Sequence, residues 1–493
     1  MQEESFSTLE ALLQQPVFHY FSELCQIPHP SFKEKAISDF VYQWAKEKSF
    51  FTWQDAWHNV FMRKPASSGY ENRPAVMLQA HLDMVCQKAN GVEHDFLKDP
   101  IHLELKGDIL STGGRTTLGA DDCIGVALIM ALLDDDSFPH PTLEVLFTTA
   151  EEEDMSGAQN VCADDFTAQY LINIDNAVEN HSVTGSCGGF GVNFYLPVAW
   201  EPVPEKSIAF HVKVEGLLGG HSGEDIHRGR GNATIFLARM LLAAREQMPL
   251  QLSSVRGGTF RLAIPREAEA VVVVPAAQAE QFQNIVRTVG DALRQEYKAV
   301  AGNLEILVEK AQCPEKGQVV STDTVDNFLK VLVLSPNGIS EMNAAVPGIV
   351  QSSDNLGEVR LEAEENRFTF VYEIRTSFRS KADYLFEKIQ MLAQIVGGSC
   401  EKFAAYPGWP HNPDSKLIPL VQSLYQDMFA APMAATPMHS GLECGCLIEK
   451  RPALDAISLG PDCWDLHSPQ ERLSVSSTLR MYTFLQALLQ KIQ

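Results

Sequence analysis

The chain has 493 residues, a length that favours two or more domains over a single hydrophobic core. Its formal net charge of -24, from 63 acidic and 39 basic residues, argues against nucleic acid or an anionic membrane as the main partner. Hydrophobic residues make up 45% of the chain, enough to bury large cores, yet no apolar run is long enough to cross a bilayer.

The N-terminal residues 1–15 are acidic and amphipathic, and they lack the basic region and apolar segment of a secretory signal. The ten cysteines follow no regular framework, so we expect reduced thiols in a cytoplasmic protein. Cys444 and Cys446 have a spacing that metal ligands can have, but two buried structural thiols are the simpler interpretation of this pair.

From residue 75 to about residue 200, the sequence alternates between strand and helix patterns. The helix pattern covers residues 121–136, with Asp121 near the N-cap. Strand patterns cover residues 75–85, 143–150 and 170–175. Strands that alternate with helices indicate an α/β domain with a mostly parallel sheet.

After a proline-containing segment at 198–206, interpreted as a linker, the pattern changes to that of an α+β domain. Its predicted strands are 207–217, 269–275 and 303–310 with an antiparallel pair at 357–378, and its predicted helices are 232–247, 278–298 and 382–396. The α/β pattern then returns with a strand at 455–460 and a closing helix. We therefore predict a catalytic domain from residues 1–205 and 394–493, interrupted by an inserted domain at 206–393.

Acidic and imidazole side chains stand where the predicted strands of the α/β domain end. These residues are His81, Asp83, Asp121, Glu151, Glu152, Asp175 and His467. In open α/β sheets, ligands bind outside the carboxyl ends of the strands, so we expect these side chains to share one crevice.

Each of these residues also has an ordinary structural explanation. His81 could be a hydrogen-bonded core histidine, Asp121 a helix cap, and the acidic run 151–154 a solvated turn. His467 could be a surface loop residue, and Asp175, which Asn176 follows, could be an ordinary turn residue at a strand end. Their joint occurrence favours a common cause, because repelling carboxylates in one crevice need cations to neutralise them.

Imidazoles and carboxylates without cysteine are the ligands of catalytic zinc or a similar divalent ion. Two histidines and three carboxylates can hold two metals if one carboxylate bridges them. The doublet Glu151-Glu152 supplies a ligand and a general base from adjacent positions. Asp83 lies on the same face of its strand as His81, where it can orient the imidazole.

Eight motifs in order extend this pattern over nearly the whole chain, beginning after IPHPS at 27–31. They are QAHLDMV (79–85), TTLGADDCIG (116–125), EEEDMSGA (151–158), INID (172–175), GGHSGEDIHRGRGNA (219–233), AIPREA (263–268), HSGLECG (439–445) and HSP (467–469). Together they resemble the bacterial aminoacyl-histidine dipeptidases, in the co-catalytic zinc peptidase family that includes aminoacylases, glutamate carboxypeptidases and carnosinases.

The resemblance implies a zinc-peptidase α/β domain that carries an inserted lid and dimerisation domain, in a homodimer. It implies two divalent ions, Zn²⁺ with Co²⁺ or Mn²⁺ as alternatives. By this resemblance, the ligands of one metal are His81 and Asp175, those of the other are Glu152 and His467, and Asp121 bridges the two.

By the same resemblance, Glu151 is the general base and acid, and Asp83 supports His81. His221 polarises the scissile carbonyl, either after domain closure or from a partner subunit; the alternative is an incidental histidine in a glycine-rich turn. The weaker candidates for binding the substrate are Arg375, His439 and Glu443. The alternative for each is a structural salt bridge or a packing role.

Three positions depart from the dipeptidase pattern: Cys123 stands where glycine is usual, Asp154 also replaces a glycine, and Leu262 replaces an asparagine. Asp122 agrees instead with the wider family, in which a cis peptide bond follows the bridging aspartate. Because the expected ligands are unaffected, the departures leave hydrolysis intact but leave the preference for histidine open.

The resemblance thus predicts hydrolysis of dipeptides with a free N-terminus, of the Xaa-His type such as carnosine, by a hydroxide that bridges the metals. A tripeptidase and an N-acyl amino acid deacylase are the alternatives on the same scaffold. An inactive peptide-binding protein and a purely structural metal site are alternatives of other classes.

Overall fold

The computed structural model describes residues 6–314 and 317–493. The chain forms two compact units. The first consists of the residues up to Ser186 together with Trp409–Gln493, and the second is Cys187–Gly408. The chain therefore leaves the first unit once and returns to it once.

The α-helices in the described part of the chain are α1 (Leu9–Leu12), α2 (Pro16–Leu24), α3 (Lys35–Glu47), α4 (Ala120–Asp134), α5 (Ser156–Gln159), α6 (Ala233–Arg245), α7 (Ala279–Glu296), α8 (Thr322–Leu334), α9 (Arg379–Val396), α10 (Leu417–Phe429), α11 (Cys444–Lys450) and α12 (Val475–Lys491). None of these helices is long and apolar enough to span a membrane.

The strands in the same residues are β1 (Phe51–Gln54), β2 (Val60–Lys64), β3 (Val76–His81), β4 (Glu104–Lys106), β5 (Ile109–Ser111), β6 (Leu143–Thr148), β7 (Tyr170–Asn173), β8 (His181–Val183), β9 (Gly188–Pro197), β10 (Trp200–Pro202), β11 (Ser207–Glu215), β12 (Gln251–Gly257), β13 (Ala268–Pro275), β14 (Glu305–Ala311), β15 (Gln318–Val320), β16 (Gly338–Met342), β17 (Val350–Glu362), β18 (Arg367–Thr376), β19 (Ser399–Tyr406), β20 (Ala434–Thr436), β21 (Asp455–Ser458), β22 (Cys463–Trp464) and β23 (Arg472–Ser474).

The first unit is built on an eight-stranded sheet in the order β1-β2-β6-β3-β7-β21-β8-β20. Its central strands β6, β3, β7 and β21 are mutually parallel, and β1 and β2 add antiparallel pairs at one edge. The predicted α/β class with a mostly parallel sheet is confirmed. Parallel strands end at the same edge of a sheet, so the carboxyl ends of β6, β3 and β7 lie side by side.

Apolar side chains cover both faces of this sheet. On one face, Val76 and Leu78 of β3 belong to a core formed with helices α2, α4 and α12. Helix α4 is apolar on nearly every side because it is buried between β3, α2 and α12. On the other face, Met77 of β3 packs in a second core with Leu447 of α11. Gln79 and His81 follow Met77 at two-residue intervals, so they lie on the α11 face of the sheet.

The second unit contains an antiparallel sheet in the order β14-β11-β13-β12-β17-β18-β9-β19, with β16 added beside β17. Helices α6 to α9 and this sheet share one hydrophobic core, in which Phe368 and Phe370 of β18 are fully buried. This is the α+β composition that the sequence predicts for the inserted segment.

The borders of the second unit lie outside those predicted from sequence. β9 pairs with β18 and β19 pairs with β9, so residues 187–205 and 394–408 belong to the second unit. The predicted linker at 198–206 is wrong, because Trp200–Pro202 forms β10 and pairs with β15. Its prolines suggested a linker, but they lie at a sheet edge, where the missing amide hydrogen costs little.

Candidate metal centre

Six side chains of the first unit converge at the carboxyl ends of its parallel strands. Three overlapping groups have ligand atoms within 4.8 Å of one another. They are His81 with Asp121 and Asp175, Asp121 with Glu152 and His467, and His81 with Glu151 and Glu152. The structure thus brings together all five residues predicted as metal ligands and the predicted base, and Asp121 is shared between two of the groups.

His81 ends β3, and its ring is oriented by Asp83. Nδ1 of His81 lies 3.0 Å from the main-chain carbonyl oxygen of Asp83 and donates to it. Nε2 lies 3.1 Å from Oδ1 of Asp121 and 4.0 Å from Oδ1 of Asp175. Burial lowers the pKa of His81, but the carboxylates of Asp121 and Asp83 raise it well above its usual range. In the neutral ring, the hydrogen bond from Nδ1 leaves the lone pair on Nε2, the nitrogen that can bind an ion.

Asp121 lies at the start of α4, where the peptide bond to Asp122 is cis. Its Oδ1 faces His81, and its Oδ2 lies 3.2 Å from Nε2 of His467. Burial opposes ionisation of Asp121, but the two imidazoles hold its pKa far below the usual range. The Asp122 carboxylate accepts a hydrogen bond from the His81 amide at 3.3 Å, which links this turn to β3.

The doublet Glu151-Glu152 lies in the turn after β6. Both backbone amides donate to the carboxylate of Asp83, at 3.0 and 3.1 Å. Oε1 of Glu152 lies 3.0 Å from Nε2 of His467. Burial raises the pKa of Glu151 well above its usual range, and the neighbouring carboxylates of Glu152 and Asp175 add to this rise.

The chemistry of these donors fits divalent metal ions. Two imidazoles and four carboxylates face one small volume, and burial together with mutual repulsion raises the pKa values of Asp175 and Glu152 as well. A partly buried cluster of four carboxylates is costly unless cations neutralise it. Mixed imidazole and carboxylate ligands without thiolate are typical of catalytic zinc and related ions.

Three residues that sequence reasoning missed support this site. Glu471 is buried, and its carboxylate accepts backbone hydrogen bonds from residues 118–121, including Ala120 at 2.9 Å. Ser31 donates to Asp83 at 2.7 Å, and Glu34 accepts from the Ala150 amide at 2.9 Å. Glu471 lies four residues after His467, and Ser31 is the last residue of the IPHPS segment. Neither position has a local sequence pattern that would indicate its role.

The weaker predictions in the first unit fall on two buried residues. Glu443 is fully buried, and its Oε2 accepts hydrogen bonds from Gln79 at 2.6 Å and Thr148 at 2.5 Å. His439 is also buried.

All ten cysteines are thiols without disulfides, and Cys123 lies with its Sγ 3.4 Å from Nε2 of His29. This thiol is therefore directed toward a histidine outside the predicted ligand set.

The second unit holds the remaining predicted residues, His221 and Arg375. The backbone amide of Glu224 donates to Nδ1 of His221 at 3.1 Å. Arg375 is buried, donates to the hydroxyl of Tyr406 at 2.9 Å and lies 3.4 Å from Nε2 of His221. The backbone amide of Ser222 donates to the carbonyl oxygen of Leu262 at 2.8 Å, so Leu262 is hydrogen-bonded to the loop that carries His221.

Comparison with known proteins gives consistent matches. The family model described as peptidase family M20/M25/M40 matches residues 77–491. The cytosol non-specific dipeptidase of Escherichia coli (strain K12) is 37% identical over 486 residues, 99% of each chain. The crystal structure of aminoacylhistidine dipeptidase from Vibrio alginolyticus superposes with a TM-score of 0.89 at 33% identity, covering 99% of this chain and 98% of that one. Peptidase T of Salmonella schwarzengrund is 38% identical over 78 residues, 15% of this chain and 19% of that protein. The resemblance predicted from the sequence motifs is confirmed.

Proposed function

The chain belongs to peptidase family M20/M25/M40, and from this membership we propose that it is a metal-dependent dipeptidase acting on dipeptides with a free N-terminus. One observation carries the proposal. Two groups of possible ligands share Asp121, and the carboxyl of Glu151 lies half-buried beside them. A pair of ions with an adjacent proton acceptor is one of the arrangements by which metals hydrolyse peptides.

We assign His81 and Asp175 to one ion, Glu152 and His467 to the other, and Asp121 to both. This assignment rests on the overlapping distances and on the Nε2 lone pair of His81. Two divalent ions there would polarise the peptide carbonyl and lower the pKa of a shared water. The ions are proposed to be Zn²⁺, with Co²⁺ or Mn²⁺ as alternatives, because a set of imidazoles and carboxylates accepts all three.

Glu151 is proposed to move the proton. Its raised pKa allows the carboxylate to accept the proton of the attacking water and then deliver it to the leaving amine. Asp83 keeps His81 in one tautomer and also fixes the backbone of Glu151 and Glu152. These contacts support a positioning role for Asp83.

His221 is proposed to donate from Nε2 to the carbonyl oxygen of the substrate, as the family resemblance implies. Nε2 of His221 lies 3.4 Å from the guanidinium of Arg375, a second donor suited to the same oxygen. Arg375 and His439 remain weaker proposals for binding the substrate.

The substrate is proposed to be of the Xaa-His type. The names of the two full-length relatives differ on this point, one being a non-specific dipeptidase and the other an aminoacylhistidine dipeptidase. Leu262 is hydrogen-bonded to the loop that carries His221. An apolar side chain at this position does not favour histidine over other residues at the second position of a dipeptide. A second proposal is therefore a dipeptidase with broad specificity.

The decisive experiment compares wild type with Glu151→Gln and Glu153→Gln on a panel of dipeptides, tripeptides and acetylated amino acids. Glu153 is exposed in the same turn and serves as the matched control. We expect Xaa-His and other dipeptides to be cleaved, Glu153→Gln to behave like wild type, and Glu151→Gln to lose at least about 100-fold in kcat. Cleavage of acetylated amino acids alone would refute the proposal, and wild-type turnover by Glu151→Gln would refute the assigned base.

We also propose a cytoplasmic homodimer that associates through the second unit. Helix α9 exposes Tyr384, Met391 and Ile395, which are 54%, 61% and 70% exposed, at spacings that align them along one side of the helix. A second copy of the chain would cover this apolar surface. Sedimentation of wild type and of Met391→Glu with Ile395→Glu tests it, and a monomeric wild type would contradict it.

A further inference from the structure

Beneath the predicted ligands lies a second layer of polar side chains, all fully buried. Gln79 of β3, Asn173 of β7 and Thr148 of β6 come from three adjacent parallel strands. Glu443, the residue before α11, approaches them from the α11 face of the sheet. On this face the strands are otherwise lined by apolar residues such as Met77, Leu146 and Leu171. Four polar side chains in this place therefore need an explanation.

The four side chains form one hydrogen-bond network. Nδ2 of Asn173 donates to Oε1 of Gln79 at 2.6 Å. Nε2 of Gln79 donates to Oε2 of Glu443 at 2.6 Å and to the hydroxyl of Thr148 at 3.1 Å. The Thr148 hydroxyl in turn donates to the same Oε2 of Glu443 at 2.5 Å. Glu443 is thus the common acceptor that connects the ends of β3 and β6.

Three members of the network stand two or three positions before a predicted site residue. Gln79 precedes His81 by two positions on the same face of β3, and Asn173 precedes Asp175 by two. Thr148 stands three positions before Glu151 and is the register partner of His81. Oδ1 of Asn173 accepts the backbone hydrogen bond of Asp175 at 3.3 Å. The network therefore spans the three strand ends that carry His81, Asp175 and the Glu151-Glu152 doublet.

We infer that Glu443 is a positioning residue of the metal centre, which acts by accepting the hydrogen bonds of Gln79 and Thr148. The parallel ladder between β3 and β6 ends at the register pair His81 and Thr148, where the predicted ligands begin, and metal ligands must be placed within a fraction of an ångström. The shared acceptor fixes the ends of β3 and β6 relative to each other. Glu443 then acts on metal affinity through strand position, without touching substrate or ion.

This inference rests on the proposed function, since it concerns the same ions. Its test is the affinity of the metal-free protein for Zn²⁺, measured by competition with a chromophoric chelator. Glu443→Leu removes the acceptor at similar size, and Glu443→Gln retains one acceptor oxygen. Glu144→Gln is the matched control, because Glu144 is a buried carboxylate on the same face of β6, four residues before Thr148.

We expect Glu443→Leu to bind Zn²⁺ about 10- to 100-fold more weakly, as outer contacts of metal ligands commonly do. Glu443→Gln should remain within about threefold of wild type, as should Glu144→Gln, since neither loses the shared acceptor. Thermal unfolding of the metal-free proteins is recorded in parallel. A Glu443→Leu protein that unfolds at lower temperature yet binds Zn²⁺ like wild type would overturn the inference.

If Glu443→Leu does not fold, Thr148→Val takes its place, because it removes one donor to Glu443 at nearly the same shape. Thr148→Val is then expected to bind Zn²⁺ about 10-fold more weakly than wild type, the lower end of the range given for Glu443→Leu. Unchanged Zn²⁺ affinity overturns the inference. Absence of divalent-ion binding by the wild-type protein is a different result, since it refutes the proposed function itself.

Discussion

Asp83 presents two oxygens to Nδ1 of His81, its main-chain carbonyl at 3.0 Å and its carboxylate Oδ1 at 3.4 Å. The shorter contact is the one that sequence reasoning did not consider. The main chain of Asp83 therefore orients the imidazole, while its carboxylate also receives the amides of Glu151 and Glu152 and the hydroxyl of Ser31.

Asp83→Asn should therefore lower activity without abolishing metal binding. The carbonyl bond to His81 survives, but the two amides of the doublet donate to different carboxylate oxygens, and asparagine replaces one of these with an NH2 donor. We expect kcat/KM to fall about 10- to 100-fold. Steady-state kinetics with a dipeptide measures this, with Asp164→Asn at an exposed position as the control. Unchanged kinetics in Asp83→Asn would show that its carboxylate does not position the site.

Removal of metal should abolish activity and leave most of the fold intact. The predicted ligands lie at strand ends, whereas both units have large apolar cores that do not depend on them. Dialysis against a chelator, followed by circular dichroism and an activity assay, measures the two effects separately. Restoration of turnover by added Zn²⁺ is the positive control. Global unfolding upon chelation would instead indicate a structural metal site.

His221→Ala should lower kcat about 100- to 1,000-fold, the usual effect of removing a donor to the developing oxyanion. Its Zn²⁺ affinity should equal that of wild type, because His221 is not among the predicted ligands. His227 is exposed on the same loop, so His227→Ala is the matched control. A normal kcat in His221→Ala would leave only the interpretation of an incidental histidine in a glycine-rich turn.

An ion-pair cluster on β17 and β18 should make the free energy of unfolding depend on pH in the acid range. Burial raises the pKa of Glu362, but hydrogen bonds from Arg360, Arg367 and Thr369 outweigh it and lower the pKa from 4.5 to about 2. A lowered pKa adds stability above pH 4.5, and this contribution is lost as the pH falls toward 2. Solvent screening limits the effect to about 1 kcal/mol or less.

Urea unfolding at several pH values compares wild type with Glu362→Gln. The variant should be less stable than wild type at neutral pH, and the difference should disappear near pH 2. Glu364→Gln is the control, since Glu364 lies in the turn between the two strands and is exposed. A difference that persists unchanged in acid would mean that the charge of Glu362 does not stabilise the cluster.

The candidate site was largely predictable from sequence because its residues are histidines and carboxylates at positions where apolar residues are usual. A histidine or carboxylate at the end of an apolar strand, such as His81 or Asp175, is visible in the local pattern. The supporting residues were not predictable in this way. Gln79 and Glu443 are 364 positions apart, and their contact depends on the register of strands and on the docking of α11.

The fold shows the same division. β6 and α7 were predicted to within two residues because apolar periodicity marks them. The helices α2, α3, α8 and α10 were not predicted, although buried residues recur on them at helical spacing. The borders of the second unit were not predicted either, because β19 is half exposed and β10 has only three residues. Such edge strands are defined by hydrogen bonds to partners distant in the chain, which periodicity does not record.

The bonds between Glu471 and the backbone of residues 118–121 span about 350 positions of the chain. His467 stands on the same C-terminal loop as Glu471, and both come after the whole second unit in the order of synthesis. A growing chain thus completes the Asp121 turn and the predicted ligand set only when this loop leaves the ribosome. Assembly of the candidate centre is thereby coupled to synthesis of this late segment, and a shorter nascent chain cannot bring together both groups of predicted ligands.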